Sequence, residues 1–175
     1  MDAYDCVRTK LDLREFNTGR KIAQDAKMKI LESARVTGSA MNSQHWRFIL
    51  VQTPDRLRTL AEDSTTGSWV RGANFAVIVL TAEKRGFELI DAGRVTQDMQ
   101  IAAWNLGIVS CIFTGVNQTA LRRDFSIPEG LNASVIIGFG YPAKKVTGSK
   151  KKRKSLTDLV FIDKYGKPFD NSQLS

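Results

Sequence analysis

Seven cations and no carboxylate fall within residues 143–154: Lys144, Lys145, Lys150, Lys151, Lys152, Arg153 and Lys154. The chain carries 26 Lys and Arg against 18 Asp and Glu, so without these seven only 19 basic residues remain. The formal charge of +8 therefore belongs to one segment and not to a basic face. Such a run can be a hydrated loop, or a patch for nucleic acid or another polyanion. It can also be a clamp from which one or two cations reach a small phosphorylated ligand. The run alone does not choose among the three.

Other reactive side chains are sparse. His45 is the single histidine, which disfavours a Ser/His/Asp triad and a zinc site of ordinary ligand count. Two cysteines far apart, Cys6 and Cys111, argue for a reducing compartment. Cys111 has no activating neighbour in sequence and reads as a buried strand residue, not a redox thiol. Gly138-Phe139-Gly140 lacks the third glycine of a dinucleotide fingerprint and stands at a strand end, so a Rossmann reading fails. There is no Walker A sequence, EF-hand loop or metal-ligand cluster.

The elements that must position these residues follow from periodicity. Residues 2–16 read as a short helix followed by an extended stretch, and 21–35 has helical spacing of apolar residues. Residues 38–43 form a polar loop rich in small residues. Strands are expected at 46–52, 73–81, 108–116 and 134–141, the second apolar enough for burial on both faces. Thr53 and Pro54 open a helix as N-cap and first residue. A long helix over 91–106, stopped by Gly107, carries apolar residues on two sides and so lies between two layers or two subunits. Residues 156–162 could supply an arm or edge strand. The 175 residues favour one domain, with a basic loop at 143–154 and a tail from 163 to 175. The alternation of elements gives an α+β or α/β sandwich. No apolar run approaches the ~20 residues of a membrane span. Residues 1–5 show no export signal, so a cytoplasmic location is expected.

In order along the chain, these pieces resemble the FMN-dependent nitroreductase family. The loop Ser39-Ala40-Met41-Asn42-Ser43-Gln44-His45-Trp46-Arg47-Phe48 is similar to the family's "PSxxNxQPWxF", with Gly38 and His45 where proline is usual. Lys10-Leu11-Asp12-Leu13-Arg14-Glu15-Phe16 resembles the opening "RRSxRxF". Asp91-Ala92-Gly93, then Gln97, Met99, Ala103, Leu106 and Gly107, resembles the central helix, and Ser110-Cys111 the strand after it. Gly138 to Pro142 resembles the "GYP" strand end, and Lys151 to Leu156 the late "RxPL" segment.

The resemblance implies an α+β nitroreductase-like fold, a central mostly antiparallel sheet flanked by helices, in a homodimer with flavin sites at the interface. It implies FMN as cofactor and NADH or NADPH as donor, with hydride passing through flavin N5 to an electron-poor small molecule by ping-pong turnover. Neither nucleic acid nor membrane would be a partner. Lys10, Lys151 and Arg153 would converge on the phosphate, joining positions ~140 residues apart. Arg14 would lie near flavin N1 and O2, where a cation stabilises the charge of the reduced ring. Ser39, Asn42 and Gln44 would reach the flavin held chiefly by the other subunit. Thr114 and Gly115 would flank N5, Gly permitting close approach. Leu11 and Asp12 depart from the family's Arg and Ser, which shifts the phosphate onto Lys10, Lys151 and Arg153. Residues 81–88 are the one stretch available as a small lid. Two alternatives stay open: a polyanion-binding module using residues 150–154, and a same-fold FMN enzyme of different chemistry, such as reductive dehalogenation.

Overall fold

The structure is a computed structural model that describes residues 1–82, 86–146, 151–170 and 172. The order is α1 (Ala3–Thr9), α2 (Gln24–Val36), β1 (Arg47–Val51), α3 (Pro54–Glu62), β2 (Phe75–Thr81), α4 (Phe87–Asn105), β3 (Val109–Phe113), α5 (Gln118–Asp124) and β4 (Asn132–Gly140). Short 3-10 turns occupy Ala40–Asn42, Ser68–Gly72 and Leu156–Asp158.

The four strands form one sheet in the order β1-β2-β4-β3, each adjacent pair antiparallel. Every residue of β2 is buried, because helices cover both faces. Side-chain alternation sorts the apolar residues into two cores. Phe75, Val77, Val79, Val135, Ile137 and Phe139 pack with residues of α2 and α4. Ala76, Ile78, Leu80, Ile136 and Phe113 pack with α3 and α5. Phe75 and Phe139 are register partners, and their rings stack 4.7 Å apart.

The local signals act as their chemistry requires. Thr53 accepts from the Arg56 N–H with Pro54 opening α3, and Asn117 caps α5 by accepting from the Ala120 N–H. Gly107, at φ +72°, turns the chain out of α4 in a conformation costly for other residues. Helix α4 starts a turn before the expected position 91. Residues 156–162 form no strand: the Leu156–Asp158 turn is followed by one bridge, Phe161 to Pro168. Of the expected lid, residues 83–85 lie outside the described residues. So do Lys150 of the basic run and residues 171 and 173–175 of the tail. Among the described residues no helix is long and apolar enough to cross a membrane.

One connection positions the site. After α1 the chain runs past the start of β3 and the end of β4. Asp12 bridges Ser110 in parallel, and Leu13 N–H donates to the Ser110 carbonyl at 3.0 Å. Asn17 N–H donates to the Tyr141 carbonyl at 2.8 Å, and Ala143 N–H to the Glu15 carbonyl at 3.2 Å. The opening segment thus covers a sheet edge that would otherwise be open for pairing.

Candidate functional site

A cavity of about 590 Å³ lies between the opening segment and the exit of β4. Residues 11–15 form one wall, residues 142–146 the other, and Cys111 of β3 contributes between them. The hydrogen bonds that seat residues 10–17 on the sheet therefore also build the cavity.

Arg14 reaches into this cavity from its exposed wall. Its Nε donates to Cys111 Sγ at 3.5 Å, and its guanidinium stands 6.0 Å from the Trp69 ring centroid. The contact with Cys111 raises the Arg14 pKa further above its ordinary value, so this cation is permanent. Cys111 is buried, and both cysteines are free.

Lys10 is largely enclosed. Its ammonium lies 3.0 and 3.1 Å from the two Asp12 carboxylate oxygens and donates to Gln100 Oε1 at 2.9 Å. Gln100, buried on α4, returns its Nε2–H₂ to Asp12 Oδ1 at 2.8 Å and to Ser110 Oγ at 3.1 Å.

The late segment returns to the same place. Lys151 donates from Nζ to the Val7 carbonyl in the last turn of α1, at 2.9 Å and across 144 positions of sequence. Burial, then Arg153, then Lys10 push the Lys151 pKa below the usual lysine value, while Asp12 opposes them weakly. Lys10, Lys151, Arg153 and Asp12 thus share one electrostatic neighbourhood. Arg153 is exposed and bonds only to the neighbouring Lys152 carbonyl among the contacts seen. Lys152 and Lys154 are exposed.

The loop holding Ser39, Asn42 and Gln44 lies elsewhere on α4. Its anchor is Asp91, whose Oδ2 accepts from the Ala40 N–H at 2.9 Å and lies 3.2 Å from His45 Nε2. Arg94 donates to Oδ1 at 3.1 Å. Burial pushes the Asp91 carboxyl up, but the bonds from Ala40, His45 and Arg94 together hold it below the usual value. Ser39 Oγ accepts from the Gln44 N–H at 2.9 Å, and the exposed side chains of Gln44 and Asn42 meet at 3.2 Å. Met41, Asn42 and Gln44 all take positive φ. Gln100 stands nine positions after Asp91 on the helix, ~13 Å along the axis. Within one chain these three polar residues do not meet the cations.

Thr114 is exposed and does not line the cavity. The Gly115 carbonyl accepts from Thr65 N–H at 2.8 Å and Thr66 N–H at 3.3 Å. A Cβ there would stand 2.5 and 2.6 Å from the two threonine hydroxyls, so the chain's own packing requires glycine. Trp46 is in the core, and His45 packs against Trp46 and Phe87. Gln100, Ser110 and Trp69 carry no role in the sequence reading. The available signal was a glutamine inside a helix apolar on two sides, which must find a polar partner.

A three-layer sandwich with a cation-rimmed cavity at the edge of an antiparallel sheet defines the class. The sequence model described as "Nitroreductase family" matches residues 8–74 and 61–141. A Methanothermobacter thermautotrophicus protein, provisionally named NADH dehydrogenase/NAD(P)H nitroreductase, is 31% identical over 153 residues, covering 82% of this chain and 79% of that protein. The chain belongs to the nitroreductase family. Its fold matches the Clostridium difficile R20291 FMN-dependent nitroreductase with TM-score 0.82 at 19% identity, over 91% of this chain and 98% of that one. A nitroreductase family protein from C. difficile 630 gives 0.81 at 23% identity, over 94% and 99%.

Proposed function

We propose that this nitroreductase-family oxidoreductase binds FMN in the cavity beside Arg14 and passes electrons from NADH or NADPH to an electron-poor small molecule. The observation that carries the reading is the return of Lys151 to the Val7 carbonyl, with Arg153 acting on it, near a cavity of about 590 Å³ that is lined by Asp12, Arg14, Lys144 and Lys145 and not by Lys10, Lys151 or Arg153 themselves. That volume falls in the range of ~300–1,000 Å³ usual for small-molecule sites. The donor set fits a phosphate. Burial and then the neighbouring Arg153 and Lys10 push the Lys151 pKa down, and the Asp12 carboxylate that opposes them is already bonded to Lys10. A dianion would relieve that repulsion.

Bound there, FMN would supply the hydride-accepting and electron-donating centre between the nicotinamide and an acceptor such as a nitroaromatic or a quinone. Lys151 and Arg153 would hold its phosphate by charge-assisted hydrogen bonds. Arg14 places a fixed cation on the cavity wall, which favours a ligand that gains negative charge on reduction. Ser39, Asn42 and Gln44 would serve the cavity of a second copy, since their own lies out of reach along α4. Exposed Tyr4 and Val7 on α1 and Leu89 and Ile90 on α4 support such a pairing. Thr114 and Gly115, beyond the end of β3 and outside the cavity lining, would meet only a part of the ligand that extends past the cavity. With Lys151 turned back onto Val7, the basic run is less suited to a uniform polyanion face.

The test is the visible spectrum of the purified protein, followed by titration with FMN. The reading requires absorption in the flavin region and saturable uptake by stripped protein. Colourless protein that ignores FMN and binds RNA with steep salt dependence would favour the polyanion alternative. Arg14→Ala is expected to lower the reduction potential of the loaded protein and slow its reduction by NADH or NADPH by about tenfold or more. Stopped-flow rates equal to the parent would remove Arg14 from this role.

A further inference from the structure

We propose that Asp12 is an affinity- and specificity-determining residue for the phosphate end of the cavity, an internal anion that competes with the ligand's phosphate. The inference rests on the FMN reading and concerns the position where this chain departs from its family's opening motif. An ammonium has three donors, and Lys10 directs its own at the two Asp12 oxygens and at Gln100 Oε1. The Lys10 side chain is 10% exposed, whereas that of Asp12 is 51% exposed. The lysine is therefore sequestered, and the carboxylate, which lines the cavity, is presented to solvent.

Gln100 holds this arrangement by giving one amide hydrogen bond to Asp12 Oδ1 and another to Ser110 Oγ. Asp12 also acts electrostatically on Lys151. A phosphate arriving here meets Lys151 and Arg153 of the late segment, each bonded to a backbone carbonyl and not to a carboxylate, but it also meets a carboxylate of its own sign. That carboxylate claims the third cation. Both effects weaken a phosphorylated ligand and leave an unphosphorylated one of the same shape untouched. The site consequently holds FMN less tightly, and prefers FMN over riboflavin less, than its three cations would allow.

Asp12→Asn keeps the shape of the side chain and removes the charge. The experiment titrates stripped wild-type protein and D12N with FMN and with riboflavin, by flavin fluorescence and calorimetry. FMN should bind D12N about tenfold or more tighter, the worth of one charge-assisted hydrogen bond, and riboflavin should change less than about twofold. Asp12→Ser, which also removes the tether on Lys10, should shift FMN in the same direction, and it supplies the test if D12N folds poorly by circular dichroism. FMN affinity unchanged or lower in the variants overturns the proposal and leaves FMN binding itself standing. So does equal tightening of FMN and riboflavin, because the effect would then not be electrostatic. If neither wild type nor variants bind either flavin, the FMN reading fails and this inference fails with it.

Discussion

Stripped protein carrying both Lys151→Ala and Arg153→Ala is expected to bind FMN about a hundred- to ten-thousandfold more weakly than wild type, with riboflavin binding nearly unchanged. The magnitude follows from losing two charge-assisted hydrogen bonds, each worth about ten- to a hundredfold. The control is Lys152→Ala with Lys154→Ala, which removes the same charge from exposed neighbours. It should alter affinity only a few-fold, because solvent screens such charges. If both double variants lose FMN equally, the phosphate is held by the general field of the run and not by Lys151, turned toward α1, and Arg153 beside it. Lys151 adds a pH signature. Burial, Arg153 and Lys10 lower its pKa in the folded protein, so it gives up its proton at a lower pH than an ordinary lysine. FMN affinity should fall as pH rises through that value, and Lys151→Ala should lose this alkaline limb. Calorimetric titration at a series of pH values measures it.

Why the basic run could be read as a clamp only with help from family resemblance is visible in the geometry. Nothing local distinguishes Lys151 from Lys152. The difference arises because Lys151 meets the Val7 carbonyl, a contact across 144 positions that no window can contain. The strands and helices were legible for the opposite reason. An all-apolar β2, a Thr-Pro start to α3 and a glycine closing α4 are short-range signals with one physical meaning each. Helix α5 escaped the sequence reading, since seven residues with a single buried position, Leu121, leave no periodic trace.

The candidate site was legible in composition and hidden in connectivity. Arg14 and the polar loop were expected from their motifs, and the structure sets Arg14 on the cavity wall. At Gly115 the missing side chain makes room for the Thr65 and Thr66 hydroxyls, a packing reason for glycine that stands beside the close ligand approach expected of it. The three cations also differ from one another in a way residue type cannot express. Lys10 is spent on Asp12 and Gln100, Lys151 is half-spent on a backbone carbonyl, and Arg153 remains exposed. Gln100 helps to hold Lys10 apart from the other two. Its three partners, Lys10, Asp12 and Ser110, lie on two segments, the opening one and β3, which is why its role emerges only in the folded chain.

Asp91→Ala is expected to lower stability by about 3 kcal/mol, because it strands partly buried donors that cost roughly 1–3 kcal/mol each when unpaired. For a chain of this size that corresponds to a fall in Tm of roughly 6–12 °C, readable by calorimetry. The Ala40 N–H and His45 lose their acceptor, and a loop with three positive-φ residues loses the bonds that offset its strain. The local consequence should be faster amide exchange across residues 39–45 than in the sheet. Asp91→Asn separates charge from geometry, since it can still accept from the Ala40 N–H while losing the ionic attraction to Arg94. The acid response gives the sign of the ionic part. A carboxyl held below its ordinary value in the folded state contributes stability that is complete above the unfolded value, and that stability drains away as pH falls through the folded one. Wild-type protein should therefore lose this contribution only on the acid side of the usual carboxylate range, and the difference in Tm between wild type and Asp91→Asn should shrink there. A difference that stays constant from neutral pH down to acid unfolding would show that the Asp91 charge takes no part in anchoring the loop.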